Sequence, residues 1–513
     1  MENLIKLTTI DVIVITAYIA VLFGIAVWAS FGRKRQGTLF LANRSLGWFA
    51  IGLTMWGTNV GPSMLIANAS GGFEKGLAAG NYSWYAIPFV CLLAFVFAPR
   101  YLGAGVTTLP EYMGRRFGES TRKYIAWYTI ITVVISWLGA ELFVGGVFFS
   151  QMVDFPLWVC IVILVVVSAA FTMMGGLRAI AYTNVFQMTL LIAVTMLLAV
   201  VAVVKVGGFG VIAEKTPGDY WSMFQPLTDV DFPWLAILLG YPVMGIWFYC
   251  TDQSMVQSVL GARSMKHGQT GANFYSWLKL LDIPLFILPG ILCIILLPEL
   301  TKSSDAYLQL VAHLFPPGLV GLVIVVMTAA LISTIASALN SLSAVFTMDI
   351  LMKKQVSENT TVRTGRIVVL AGSLLSIVFA MGISFIQGLS FFNMLMSVLG
   401  FVAPPMAVVF LFAVFHKKTS SRAINIVLTA GTVFSIGTGI LYYCGLILQG
   451  VHFLYISFAI FVFLSAFLFL FSMYDRAHIT GDIPFTRQPA DPKIRLMWAI
   501  LILVMIVLYI IFR

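Results

Sequence analysis

The sequence predicts an all-α integral membrane protein of about fourteen transmembrane helices, and three observations predict it. The 513-residue chain is 60% hydrophobic and only 10% charged, far from the composition of soluble domains. Apolar stretches of about 20 residues, the length that crosses a hydrocarbon core as helix, recur from end to end. Lys and Arg gather in alternate loops between those stretches.

The spans fall in order along the chain. The first, 11–31, follows MENLIKLTTID, which lacks the basic region and cleavage site of a secretory signal, so it is expected to remain in the mature protein. The second, 46–70, carries GTNVGPS at 57–63 in mid-span. The third, 80–103, is closed by Arg100. The fourth, 124–153, opens after Arg122 and Lys123. The fifth and sixth, 155–174 and 184–206, flank the turn-rich GGLRAIAYTN. The seventh, 233–256, carries GYPVMG at 240–245, and the eighth, 275–298, holds Lys279 and Asp282. The ninth, 318–348, begins at the glycine of PPG. The tenth to fourteenth follow at 367–387, 389–415, 423–447, 452–473 and 495–512. The longest interruptions, about 207–232 and 474–494, are too short to fold alone, so residues 1–513 read as a single transmembrane domain.

Threading fourteen spans places 23 basic residues on one side and 6 on the other, with Lys279 inside a span. By the positive-inside rule the basic side is cytoplasmic and both termini are extracytoplasmic. The expected location is a cell membrane of the bacterial inner-membrane kind, crossed many times. The net charge of +10 is thus a loop asymmetry and implies no nucleic-acid partner. No obligate protein partner is implied either.

The cysteines, Cys91, Cys160, Cys250, Cys293 and Cys444, lie in or at apolar spans without CxxC spacing and read as small buried hydrophobes. No HExxH, phosphate-binding loop or GxSxG elbow appears. An enzyme is not expected, nor an organic cofactor.

The second and seventh spans both place Gly and Pro where an intact helix avoids them. They are five spans apart, the spacing of an inverted repeat of five helices plus five. The repeats would cover about 46–206 and 233–415, leaving 11–31, 423–447, 452–473 and 495–512 peripheral. Unwound backbone frees carbonyls for a cation and a polar solute; against that stands the general frequency of Gly and Pro in membrane helices. In the ninth span Ser333, Ser337, Asn340 or Ser341, and Ala344 share one face, with Ala330 and Thr334 beside it. Close helix packing accounts for small polar residues of this kind. So does a cation site of hydroxyl and carbonyl oxygens, and spacing alone leaves both open.

The segments TLPEYMGRRFG (108–118), GGLRAIAYTNVFQ (175–187), YCTDQSMVQ (249–257), ALNSLSAVFTMDI (338–350) and PPMAVVFLFAVF (404–415), in this order and spacing, closely resemble the sodium/solute symporter family over about residues 10–420. The CTDQ and VQ pairing resembles its sodium/glucose and inositol branch. That resemblance implies a LeuT-type five-plus-five inverted repeat. It also implies a sodium site at the carbonyls of Gly57, Val60 and Ala330 and the hydroxyls of Ser333 and Thr334. Five neutral oxygens suit sodium, a hard ion. A second sodium of some relatives depends on an Asp in YTD, where this chain has Asn184, so one sodium per cycle is expected.

The solute positions implied by the resemblance are Asn59, Met64, Ser83, Gly245, Phe248, Lys279 and Met396. Here the chain departs from its sugar-transporting relatives: Ser83 replaces a Glu, Met396 a Gln, and Phe248 the Tyr of the inner gate. Phe248 can still stack on an apolar sugar face but loses a hydrogen bond.

Charged groups in spans are either paired or functional. Lys279 and Asp282, at i and i+3, can neutralise each other, or Lys279 can face solute. Glu141 matches an acidic position of the branch and suits gating or a polar network. Asp252 reads as a structural anchor near the end of the seventh helix, and Asp349 as an acid reaching water at the cytoplasmic face. The resulting expectation is a sodium-driven symporter importing a neutral polyhydroxylated solute, a sugar, sugar derivative or inositol, by alternating access. A sugar acid or other organic anion with Lys279 as counter-charge is one alternative, and a transporter-like solute sensor is another.

Overall fold

The computed structural model describes residues 8–30, 36–153, 155–351, 358–384, 391–481, 483 and 490–513, and among them regular structure is helical, with no strand beyond isolated bridges. Twelve helical runs among these residues are long and apolar enough to cross a bilayer. Two are too long for one passage. Leu157–Val206 has 50 residues and Pro62–Ala104 has 43, about 75 and 65 Å of helix against a core of about 30 Å. The first breaks at Gly176 and the second at the turn Gly76–Gly80. Dividing both there, and joining Trp48–Asn59 to Pro62–Lys75 as one broken crossing, gives the fourteen spans expected.

Gly176 adopts φ 52° and ψ −144°, a conformation that glycine alone enters freely. A Cβ there would stand 2.2 Å from the Leu39 carbonyl oxygen, so the chain needs both the dihedral and the space. Gly176→Ala is expected to cost at least about 2 kcal/mol, read as a lowered thermal midpoint in detergent. An unchanged midpoint would contradict the strain assigned to this break.

The second span unwinds where its sequence says it should. The helix Trp48–Asn59 stops, Val60 and Gly61 take non-helical dihedrals, and Pro62 opens the next helix at its first turn. Proline suits that position because it has no N–H to leave unsatisfied. Val60 still donates to the Trp56 carbonyl at 2.7 Å, but the carbonyls of Gly57 and Thr58 lose their helical partners.

The seventh span departs from expectation. Trp234–Ile246 runs helically through Pro242, a π-helical turn follows at Trp247–Thr251, and the backbone leaves the helix at Asp252 before Gln253–Leu260 begins. GYPVMG is therefore helical, and the break falls at the TDQ motif instead. Its glycines serve close packing: a Cβ on Gly240 would meet the Leu454 carbonyl at 2.2 Å, and one on Gly245 the Phe89 ring at 2.4 Å. Without a hydrophobic driving force between helices in lipid, such close approach is how they associate.

Burial separates inner from outer helices. The apolar windows of Met265–Leu296 and Leu319–Leu351 are 78% buried, whereas those of Thr9–Ser30 and Pro492–Ile511 are 22% buried and present their apolar surface outward. Among the largest fully buried side chains are Trp56, Tyr101, Tyr275, Phe286 and, unusually, Lys279. A lysine there requires a partner.

Three smaller expectations change. Cys160, Cys250 and Cys293 are buried, but Cys91 is only partly so and Cys444 is exposed. Asp349 does not reach water; its side chain is fully buried and pairs with Arg122 at 2.7 Å. Ser337 accepts from Thr58 at 3.1 Å, as helix packing suggests, yet Asn340 Oδ1 and Ser341 Oγ have no partner among the described residues.

Candidate functional site

The break in the second span faces the polar side of the ninth. Thr334 Oγ1 donates to the freed Gly57 carbonyl at 3.2 Å and to the Ala330 carbonyl at 3.1 Å, while Ser333 Oγ lies 3.4 Å from the Gly57 carbonyl. Ser333 also donates to Asn184 Oδ1 from the sixth span. Gly57, Ala330, Ser333, Thr334 and Asn184 are all buried, as is Val60 one turn beyond. Two carbonyls and two hydroxyls thus converge, and the hydroxyls can turn their lone pairs toward a cation. Asn184 Nδ2 has no partner among the described residues. Neutral oxygens of this kind suit a hard monovalent cation, and among the described residues no cluster of His, Cys, Asp and Glu could hold a transition metal.

On the other side of the broken helix lies a second polar cluster. Lys279 Nζ donates to Asn59 Oδ1 at 3.0 Å, forms an ion pair with Asp282, and stands 3.4 Å from Ser83 Oγ. Asp282 also accepts from Ser83 Oγ at 2.8 Å and from Trp56 Nε1 at 3.1 Å. Tyr275 Oη donates to Asn59 at 3.2 Å. Lys279 and Asp282 side chains are both 0% exposed, whereas Asn59 is half-buried. The cluster brings together three expected residues, Asn59, Ser83 and Lys279, with Asp282 as the internal counter-charge.

Asn59 sits on the last helical turn before the break, two residues after Gly57. The last helical turn before the break therefore offers a carbonyl to one cluster and a side chain to the other.

Phe248 lies in the π-helical turn ahead of the seventh-span break. Its ring packs on Trp137 with centroids 5.3 Å apart and on Tyr249 at 4.8 Å, and Tyr249 reaches Tyr275 at 6.2 Å. Asp252 caps Gln253–Leu260 by accepting from the N–H groups of Ser254 and Met255 at 2.9 and 3.2 Å, and it holds Trp137 Nε1 at 3.2 Å. It anchors the aromatic stack and touches neither polar cluster. Met64 is half-buried, and Gly245 faces Phe89; neither contributes a polar group. The side chain of Met396 lies outside the described residues. Glu141 accepts from Ser63 at 2.8 Å, beside the restart of the second span.

Sequence reasoning missed Trp56, Tyr275, Trp137 and Ser63. Two had a signal: Tyr275 lies one turn before Lys279 and Trp56 three residues before Asn59, each on the helix face of an expected polar residue, although their own partners are Asn59 and Asp282. Trp137 and Ser63 had none: each meets its acid, 115 and 78 residues away, only through the fold.

Comparison with known proteins points one way. The sodium:solute symporter family model matches residues 39–431. The sodium/glucose cotransporter 1 of Ovis aries is 31% identical across 96% of this chain and 81% of its own length. The sodium/glucose cotransporter 2 of Rattus norvegicus is 30% identical across 90% of this chain and 77% of its own. Among solved structures, a Na+-coupled sialic acid symporter superposes with a TM-score of 0.80 at 19% identity, covering 93% of this chain and 100% of the other. A nucleobase-cation-symport-1 family transporter superposes at 0.55 and 14% identity, covering 91% and 99%. These structural likenesses establish a LeuT-type fold.

Proposed function

Because the chain belongs to the sodium:solute symporter family, and is a multi-pass, sodium-coupled carrier of a small solute and not an enzyme, we propose that its cargo is a neutral polyhydroxylated solute, a sugar, sugar derivative or inositol. One observation carries the choice of a neutral cargo: Lys279, the cation of the polar cluster, is already paired with Asp282, with both side chains fully buried. An anionic solute would have to displace that carboxylate from a buried lysine, at a desolvation cost that its own charge only replaces. Hydroxyls, by contrast, exchange with the amide of Asn59 and the hydroxyl of Ser83 without moving charge. The sodium/glucose cotransporters among the relatives support the sugar reading.

One sodium per cycle binds the carbonyls of Gly57, Val60 and Ala330 and the hydroxyls of Ser333 and Thr334. It draws the broken second span and the ninth span together, which fixes Asn59 for solute and favours the outward-open state. Phe248, held by Trp137, closes the inner path. The two sets of spans at about 46–206 and 233–415 act as inverted repeats around this axis. The basic loops face the cytoplasm of a bacterial inner membrane and both termini face outward. A sodium ion moving inward contributes about 2.3 kcal/mol per 100 mV of membrane potential.

Competition identifies the cargo class. Purified protein in 100 mM-range sodium is expected to gain thermal stability from members of a panel of neutral sugars and inositols, and none from the corresponding sugar acids. Stabilisation by acids alone would overturn the neutral reading.

A further inference from the structure

Glu141 is a buried acid of the inner spans to which this scheme gives no role. It opens the helix Glu141–Val153 directly after the π-helical turn Val133–Ala140, an irregularity that resets which face the following residues present. It is 8% exposed, its Oε2 accepts from Ser63 at 2.8 Å, and among the described residues it forms no ion pair. Among the described residues, three other acids of the inner spans have stronger support: Asp282 has Lys279, Asp349 has Arg122, and Asp252 has two backbone N–H groups and an indole.

What stands near Glu141 decides what offsets it. Ser63 is in the first turn of Pro62–Lys75, whose N-cap, Gly61, supplies no side-chain cap, so the positive end of that helix points at the carboxylate. The position a Cβ on Gly61 would occupy is 2.9 Å from Glu141 Oε2 and 3.4 Å from Thr334 Oγ1. The carboxylate and the Thr334 hydroxyl of the ion cluster therefore border the same space beside this glycine, at most about 6.3 Å apart. Gly145, one turn on from Glu141, packs so closely on Leu331 that a Cβ would lie 2.1 Å from it, which fixes the Glu141 helix against the ninth span beside Ala330.

We infer that Glu141 is an electrostatic positioning residue for the ion, supplying negative charge beside Gly61 without ligating it. A cation held by neutral oxygens next to a helix N-terminus is repelled by that half-charge. A full carboxylate charge beside that N-terminus outweighs the half-charge and leaves a net attraction. This account rests on the sodium assignment proposed above and names the charge that its neutral ligand set lacks.

The test is sodium dependence of uptake in proteoliposomes for Glu141→Gln and Glu141→Asp beside Ser333→Ala. Glu141→Gln is expected to raise half-saturating sodium by about ten- to a hundredfold, the range given by one unit charge at this separation and an effective dielectric of about 20. Solute KM at saturating sodium should stay near the wild-type value, and Glu141→Asp should restore most of the sodium affinity. Should Glu141→Gln not assemble, Ser63→Ala carries the test: it keeps the charge and is expected to stay within about threefold of wild type. Native sodium dependence in Glu141→Gln, or a shift in Ser63→Ala as large as in Ser333→Ala, overturns the inference while a shifted Ser333→Ala leaves the sodium site standing. If Ser333→Ala itself is unshifted, the sodium assignment fails and this inference with it.

Discussion

Replacing both Ser333 and Thr334 by alanine is expected to raise half-saturating sodium by about two orders of magnitude or more and to abolish uptake at ordinary sodium concentrations. Each hydroxyl lies within 3.4 Å of the Gly57 carbonyl, and Thr334 also reaches that of Ala330. A polar group that meets a charge contributes about 1.5–3 kcal/mol, so losing two costs three or more and multiplies the required concentration accordingly. Fold is expected to survive, because alanine fits a close-packed helix face and, among the described residues, the hydroxyls bond only the Gly57 and Ala330 carbonyls and Asn184. Sodium titration of uptake in proteoliposomes measures the shift, and a half-saturating concentration within twofold of wild type would place the ion elsewhere.

The second large effect is on stability. Asp282→Asn is expected to destabilise the protein by about 3–5 kcal/mol, because it leaves the Lys279 ammonium buried without its counter-charge. The loss is local to one cluster yet wide in reach, since Asp282 also orients Ser83 and Trp56. The double variant Lys279→Gln with Asp282→Asn removes both charges and should recover much of the thermal midpoint without recovering uptake. That divergence separates the two roles of the pair. If Asp282→Asn melts like wild type, the ion pair is not what holds this cluster, and the argument for a neutral cargo weakens with it.

Most of the spans were legible in the sequence because they follow from length and hydropathy, which act locally along the chain. The broken second span was legible for the same reason: Gly57, Gly61 and Pro62 leave an intact helix few ways to continue. The seventh span misled because Gly240 and Pro242 look like breakers in sequence, whereas in the fold their neighbours need close backbone approach. The helix tolerates Pro242 and yields instead at Asp252, where a carboxylate is present to cap the restart.

For the site, Ala330, Ser333 and Thr334 were legible from one helix face, but spacing alone could not separate ion binding from packing. Only the distances from Gly57 bring the break of the second span and the polar face of the ninth together. The pairing of Lys279 with Asp282 was readable as one of two options; its completeness was not, since Ser83, Trp56 and Asn59 arrive from 196 to 226 residues away. Glu141 was readable as unusual and not as a neighbour of Thr334, because that proximity depends on a glycine in a third element.

The most direct test of the central claim is accumulation in proteoliposomes of whichever neutral solute stabilises the purified protein, with an inward sodium gradient imposed and then replaced by an equal potassium gradient. The account predicts accumulation above the external concentration with sodium, none with potassium, and none with sodium in the Ser333→Ala, Thr334→Ala variant. Equal accumulation under both cations, or undiminished sodium-driven accumulation in that variant, would contradict it.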